Sequence, residues 1–519
     1  MHLKPLDFIV VLVYLLGLFL LGVVFSRRQT SKDVYFLGGR KIPWFLAGIS
    51  AIATLLSTVS YLSMPGEMIK HGAGFFTSLL AFIFVIPVVT RVVIPALMRL
   101  PVTSVYDYLE RRFGMPARTL AAAVFVIMRL VWMGLILYTA SRAIEVMTGW
   151  EIPKIVAVIG IVTIFYTTLG GMRAVVWSDL AQFMILLGGA VFIPFYVGFS
   201  TGDGPGTWWA QFSQVERTQT PIFSFDPTQR VNVVGMMLLL FMWNICTHSS
   251  DQVAAQRYLS TPSAGAARRS FWVFCIANVS LMFLLGVVGL SLFHFHFEQS
   301  SLTVPQFQAE IAARADDVLP QFIAKQVPMG LAGLLLAALL AAAMSSLSSG
   351  INSISAVVAT DLLPESGGAK DGEGSLVLPM ALAAAAGLVG VGTALLVNQL
   401  MLSREDWNLI DMIEKINHLF VAPLGAIFFA GIWFRRAGLA AALLGFFSGV
   451  LTSFVVSFSG DLFTYEKDGQ EHVYEISFMW IMPAAFAVSL AVTYVAGNVF
   501  KPATEKQLEA LYQGEAGKS

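Results

Sequence analysis

The chain has 519 residues, of which 57% are hydrophobic and 12% charged, and its formal net charge is zero. A soluble domain carries about 45–50% apolar and about 25% charged residues, so this composition belongs in a lipid bilayer. Neutral charge without basic runs argues against a nucleic-acid partner. The only cysteines, Cys246 and Cys275, both fall in apolar segments and imply no disulfide framework.

The first apolar run, Leu6 to Phe25, has the length that spans a bilayer. It lacks a preceding basic region and a small-residue cleavage site, and SRRQTSK follows it, so it is expected to be retained as a leading helix. Further segments follow near 44–71, 74–99, 117–147, 154–171, 175–200, 231–259, 270–296, 327–361, 375–399, 407–433, 437–459 and 477–499, giving about thirteen expected spans. The longest remaining stretches, 201–230 and 297–326, are too short for a sizeable soluble domain. The reading is an all-α polytopic membrane protein with a single transmembrane domain over residues 1–519.

An outside N-terminus leaves 19 basic residues on the cytoplasmic side and 9 outside, the asymmetry of the positive-inside rule. An odd number of crossings then makes the C-terminus cytoplasmic, in a cell membrane. The aromatic clusters Trp208-Trp209 and Phe293 to Phe297 fall at the outer interface on this topology. Four basic residues remain inside expected spans: Arg91 and Arg142 near helix ends, Arg129 and Lys415 deeper. Each costs on the order of 2.5–3.5 kcal/mol at mid-bilayer.

Two spans carry signs of interruption. The second reads AIATLLSTVSYLSMPGEMIKHG, and Pro65-Gly66 is expected to break it just after Ser57, Thr58, Ser60 and Ser63. The seventh is polar throughout from Asn244 to Gln252. Either alone is equally a kink or helix–helix glue. A pair of them five spans apart points to a transporter with an inverted repeat, whose freed carbonyls and helix ends bind ions and small solutes.

The ninth span ends in AAAMSSLSSGINS. Ala342, Ser345, Ser346 and Ser349 recur at i, i+3, i+4 and i+7 and share one helix face, with Ser348 on its flank. Neutral hydroxyl and carbonyl oxygens suit a hard cation that must also be released, such as Na⁺. Close packing through small residues explains the same stripe, and both readings stand at this point.

AALLAAAMSSLSSGINSISAVVATDLL resembles the signature helix of the sodium/solute symporter family, which includes bacterial sodium–galactose and sodium–sialate symporters. GGRKIPWFLAGISAIATLLSTVSYL, YTTLGGMRAVVWSDLAQF, DQVAAQRYLS and APLGAIFFAGIWFRRA resemble further segments of it, over residues 6 to 500. The resemblance implies a LeuT-type fold: a leading helix at 6–25, a 5+5 inverted repeat over 44–200 and 231–433, and extra helices over 437–499. It implies a main sodium site from the carbonyls of Ala53, Leu56 and Ala342 and the hydroxyls of Ser345 and Ser346. It also implies a second sodium held by Asp179, Ser345, Ser348 and Ser349. A bland reading of Asp179, as a solvated carboxylate at a helix start, competes with that role.

For the solute, the resemblance points to Ser57, Thr58 and Ser60 on the first broken helix, and to Asn244, which matches a sugar-contacting asparagine of the galactose symporters. Lys415 falls where that group has a sugar-binding glutamine. There are departures. The sialate-carboxylate arginine position holds Trp132, with Arg129 one turn earlier; a pocket glutamine becomes Leu79; the inner-gate tyrosine becomes Thr247. Arg129 and Lys415 suggest an anionic solute, although Lys415 is equally placed to pair with Asp411 or Glu414. His248 reads as a hydrogen-bonding residue rather than a proton-linked one. FHFHF at 293–297 reads as interfacial aromatics rather than a metal site.

The expected function is sodium-coupled symport of a small organic solute, a sugar, sugar acid or other carboxylate, with Na⁺ as the coupling ion, two per cycle. Proton coupling, a channel and a membrane solute sensor are the alternatives. No nucleotide loop, catalytic triad or HExxH suggests an enzyme, and the oligomeric state is not readable.

Overall fold

The computed structural model describes residues 4–99, 102–215, 220–363, 375–403, 409–467, 470–505 and 507–508, without side chains for 409–417, 465–467 and 470–472. In chain order the main helices are α1 (Pro5–Ser26), α2 (Trp44–Leu55), α3 (Thr58–His71), α4 (Met115–Thr148), α5 (Ile152–Thr201), α6 (Val233–Ser250), α7 (Gln252–Leu259), α8 (Ala264–Glu298), α9 (Leu331–Val357), α10 (Val377–Ser403), α11 (Leu409–Trp433), α12 (Leu439–Ser457) and α13 (Ile481–Val499). Among the described residues, ten helical runs are long and apolar enough to cross a membrane, and two shorter apolar helices accompany them. Among the described residues the strands form a single hairpin of β1 (Thr464–Lys467) and β2 (Gln470–Val473), paired antiparallel with Thr464 opposite Val473.

Fifty continuous residues in α5 would measure about 75 Å, more than twice the hydrocarbon thickness. The helix is broken at Gly171, whose φ of 54° and ψ of −156° leave helical space. A Cβ there would lie 2.8 Å from the Tyr35 carbonyl. Glycine thus meets both the backbone conformation and the close approach.

The first interrupted helix breaks elsewhere than at Pro65-Gly66. Leu56 (φ −86°, ψ 102°) and Ser57 (φ −87°, ψ 170°) are extended and separate α2 from α3. Pro65 lies inside α3, with Gly289 of α8 packed directly on its backbone. Neighbouring helices thus support the weakened ladder, as they do in membrane bundles. The second interruption falls at Asp251, also extended, within the polar run 244–252. Asp251 is the N-cap of α7 and accepts from the Val253 amide at 2.8 Å, satisfying one of the orphan donors of the helix start.

The serine helix α9 is the hub. It packs against α5, α4, α1 and α10, and its Ser345, Ser346, Ser348 and Ser349 are buried. Its N-terminus is capped from far away in sequence. Asp7 of α1, itself buried, accepts the amides of Gly330 at 2.7 Å and Gly333 at 2.8 Å. A carboxylate there answers both the orphan amides and the positive end of the helix dipole. The end of α11 is held in the opposite sense. Buried Arg112 donates to the carbonyl of Gly431 (3.0 Å) in the last turn of α11 and to those of Phe434 (2.6 Å) and Ala437 (2.8 Å) just past it, a cation at the negative end of a helix.

The stretches read as outer connections contain helices of their own, Pro205–Phe212, Val304–Ala313 and Ala315–Gln326. They cover part of the aromatic cluster expected at a lipid interface. Trp208 and Phe293 are buried, and Phe293 packs against the rings of Phe212, Phe297 and Phe307. Buried His294 bonds Gln211 at 2.6 Å. Among the described residues no group of three His, Cys, Asp or Glu side chains converges as metal ligands.

Candidate cation and solute site

A helix leaves its last carbonyls without partners, and the break after α2 does so in the middle of the bundle. Two serines of α9 reach them. Ser345 Oγ donates to the Ala53 carbonyl at 2.8 Å and lies 3.2 Å from that of Ala342; Ser346 Oγ donates to the Thr54 carbonyl at 2.9 Å. Of the residues predicted for a main sodium site, Ala53, Ala342, Ser345 and Ser346 therefore converge, and Leu56 sits buried at the break beside them. Sequence reasoning missed the Thr54 carbonyl.

Asp179 is fully buried, not a solvated helix-start carboxylate. Its Oδ2 accepts from Ser50 Oγ at 2.5 Å and Thr54 Oγ1 at 3.4 Å, and lies 3.5 Å from Arg257 Nη2. Arg257, counted from sequence among the cytoplasmic cations, is itself fully buried in the same cluster. It donates to Ser50 Oγ (3.2 Å), Thr54 Oγ1 (3.0 Å) and the Val253 carbonyl (3.1 Å), and also to Ser349 Oγ. The Ser349 hydroxyl pairs with Thr54 at 2.7 Å. Of the predicted second set, Asp179 and Ser349 thus share one network. Ser348 instead bonds back to the Ser345 carbonyl at 3.0 Å, and Ser345 points to Ala53. The Asp179 Oδ1 atom is buried with no partner among the described residues, an oxygen that a buried carboxylate does not leave unanswered without cost.

On the other side of the break lies a cavity of about 60 Å³. Helix α4 lines it with Phe125, Met128, Arg129 and Trp132, one face at i, i+3, i+4 and i+7. Thr54 and Leu55 of α2, Trp243 and Ser250 of α6, Asp251 and the 420–424 turn of α11 close it. Arg129 Nη2 donates to both Asp251 oxygens, at 3.1 and 2.9 Å. The cation expected to meet a solute is thus paired within the protein.

The other solute candidates divide. Ser57 and Thr58 are buried at the break, and Thr58 Oγ1 has no partner among the described residues. Ser60 and Leu79 are half-buried. Asn244 bonds back to the Leu240 carbonyl at 2.9 Å, and buried Thr247 Oγ1 is unpartnered among the described residues. His248 hydrogen-bonds Tyr258 at 2.5 Å and is wedged between Phe271 and Phe274. Lys415 falls on α11, and its side chain, with those of Asp411 and Glu414, lies outside the described residues. Asp251 and Arg257 had one available signal, a charged pair on a short segment otherwise made of QVAAQ and YL.

The sodium:solute symporter family model matches residues 35–449. The chain is 29% identical over 470 residues to the sodium/sialic acid symporter SiaT of Proteus mirabilis, covering 88% of this chain and 90% of that protein. It is 29% identical over 462 residues to the sodium/sialic acid symporter NanT of Aliivibrio fischeri, covering 88% of each. A solved structure, the substrate-bound outward-open state of a Na⁺-coupled sialic acid symporter, superposes with a TM-score of 0.83 at 25% identity. It covers 97% of this chain and 99% of that one.

Proposed function

The chain belongs to the sodium:solute symporter family, and from that premise we propose that it carries a small organic solute into the cell together with two sodium ions, by alternating access. Sodium-coupled symport is the activity of its relatives and of the family; the solute class, a sugar, sugar acid or other carboxylate, is the proposal. One inward charge gains about 2.3 kcal/mol at about 100 mV, and a tenfold gradient adds about 1.4 kcal/mol. Two ions then supply roughly 7 kcal/mol, enough for accumulation on the order of 10⁵-fold.

The first ion is assigned to the carbonyls of Ala53, Leu56 and Ala342 with the hydroxyls of Ser345 and Ser346. The second is assigned to Asp179 with Ser345, Ser348 and Ser349. The observation that carries the reading is the reach of Ser345 and Ser346 from α9 to the freed carbonyls of α2, oxygens of the kind a hard cation takes. Around these sites the proposed frame is thirteen crossings in a LeuT-type 5+5 repeat. It treats α2 with α3 and α6 with α7 as single broken spans, and the two arms of α5 as separate ones. The basic residues favour an outside N-terminus and a cytoplasmic C-terminus.

The test is thermal unfolding of the purified protein in NaCl against KCl at equal ionic strength. A ligand bound only to the native state stabilises it by RT ln(1 + [L]/Kd), about 2.7 kcal/mol at a hundredfold excess over Kd. Sodium should raise the midpoint and potassium should not, and Ser345→Ala should abolish the difference. An equal sodium shift in Ser345→Ala would overturn the assignment. A proton-coupled transporter would show no sodium shift at all.

A further inference from the structure

Two oxygen atoms of α5 stand unanswered beside the second cation set. Ser50, Thr54 and Arg257 all address Asp179 Oδ2, and Oδ1 has no partner among the described residues. Gln182, three residues on and fully buried, shares this condition: its Oε1 has no partner among the described residues. A spacing of three puts both side chains on one face of the helix. Both atoms are acceptors, so neither can answer the other. What they can share is a donor or a cation.

The Gln182 amide is held in one sense. Its Nε2 donates to the Tyr14 hydroxyl of α1 at 3.2 Å, and that hydroxyl donates in turn to Met344 Sδ of α9 at 3.8 Å. With its proton on the sulfur, Tyr14 offers Gln182 only a lone pair, so the amide presents its nitrogen there and its oxygen elsewhere. Further oxygens stand close by. The Tyr166 hydroxyl, 3.3 Å from the Met344 carbonyl, also interacts with the side chains of Gln182 and Ser348 and lies within electrostatic reach of Asp179. One carboxylate and several neutral oxygens, from α5 and α9, are donors that a hard cation takes and a soft metal does not.

Building on the two-sodium reading above, we propose that Gln182 Oε1 is a further ligand of the second sodium ion, and that Tyr14 is the positioning residue that sets the amide. The ion lies against Asp179 Oδ1 and Gln182 Oε1 on α5 and faces the serines of α9. A neutral amide adds attraction without adding charge, which keeps the ion releasable. The leading helix α1, outside the proposed repeat, thereby takes part in ion binding through the Tyr14 hydroxyl.

The experiment is sodium binding to the purified full-length protein by equilibrium dialysis with radioactive sodium, together with thermal unfolding in NaCl and KCl at equal ionic strength. Gln182→Met keeps the length of the side chain and removes the oxygen. It should raise the half-saturating sodium concentration of one ion on the order of tenfold and leave the other ion unchanged. Its midpoint should fall further below the wild type in NaCl than in KCl. Tyr14→Phe touches no proposed ligand and removes only the hydroxyl; it should raise the same concentration by a smaller factor. A purely structural role would lower the midpoint equally in both salts and leave sodium binding as in the wild type. That result, or wild-type sodium affinity in Gln182→Met, overturns the proposal and assigns the two oxygens to a buried water. Wild-type affinity in Tyr14→Phe overturns its positioning role. Asp179→Asn separates these failures from that of the reading beneath them. If it binds as many ions as the wild type, the second site itself fails; if it loses one ion while Gln182→Met binds normally, only the Gln182 assignment fails.

Discussion

Two arginine–aspartate pairs flank the short helix α7, and they are built differently. Arg257, near its end, is fully buried with Asp179, and its guanidinium is spread over Ser50, Thr54, Ser349 and the Val253 carbonyl. Asp251, at its start, meets Arg129 through one nitrogen at the edge of a cavity, with the aspartate side chain 20% exposed. The first pair engages all three guanidinium nitrogens but one of its two carboxylate oxygens, since Asp179 Oδ1 has no partner among the described residues. The second engages one guanidinium nitrogen and faces a cavity. The two pairs differ in burial and in how many guanidinium nitrogens they engage.

Breaking the first pair should have the largest effect. Arg257→Met leaves the buried Asp179 charge uncompensated and strips partners from Ser50, Thr54 and Ser349, a loss of about 3–5 kcal/mol. Thermal unfolding of the variant should show it, with partial rescue at high sodium, because an added cation can answer the same carboxylate. Arg129→Gln should cost less than Arg257→Met, since Asp251 is 20% exposed and keeps the Val253 amide as a partner. Equal losses in the two variants would break the comparison.

Between these lies Gly171→Ala. The new Cβ meets the Tyr35 carbonyl at 2.8 Å, and the backbone there is disallowed for alanine, so about 1–3 kcal/mol should be lost. Because Gly171 sets the start of the arm that carries Asp179, the sodium shift should weaken together with the midpoint. A lowered midpoint with a full sodium response would separate the hinge from the ion site.

Much of this was legible in the sequence, for reasons that show where the limits are. Apolar length marked the long membrane-crossing helices, ten of them among the described residues, and the 3.6-residue period put Ser345, Ser346 and Ser349 on one face, because helix geometry is local. The first break was misplaced because proline looks like the stronger breaker. In the structure neighbouring helices tolerate Pro65, while unremarkable Leu56 and Ser57 open the chain. What could not be read were the distant partners. Asp7 looked like part of a leading helix, yet it caps α9. Arg257 looked like a cytoplasmic anchor, yet it closes the Asp179 cluster. Such contacts depend on how helices are stacked, which no short window of sequence contains.

The most direct measurement is the number of sodium ions bound per chain, by equilibrium dialysis with radioactive sodium at saturation. Two ions are expected in the wild type, one in Asp179→Asn and fewer still in Ser345→Ala, which removes a hydroxyl shared by both sets. The same count in the wild type and in Asp179→Asn would contradict that expectation, leaving Asp179 as the structural partner of Arg257 alone.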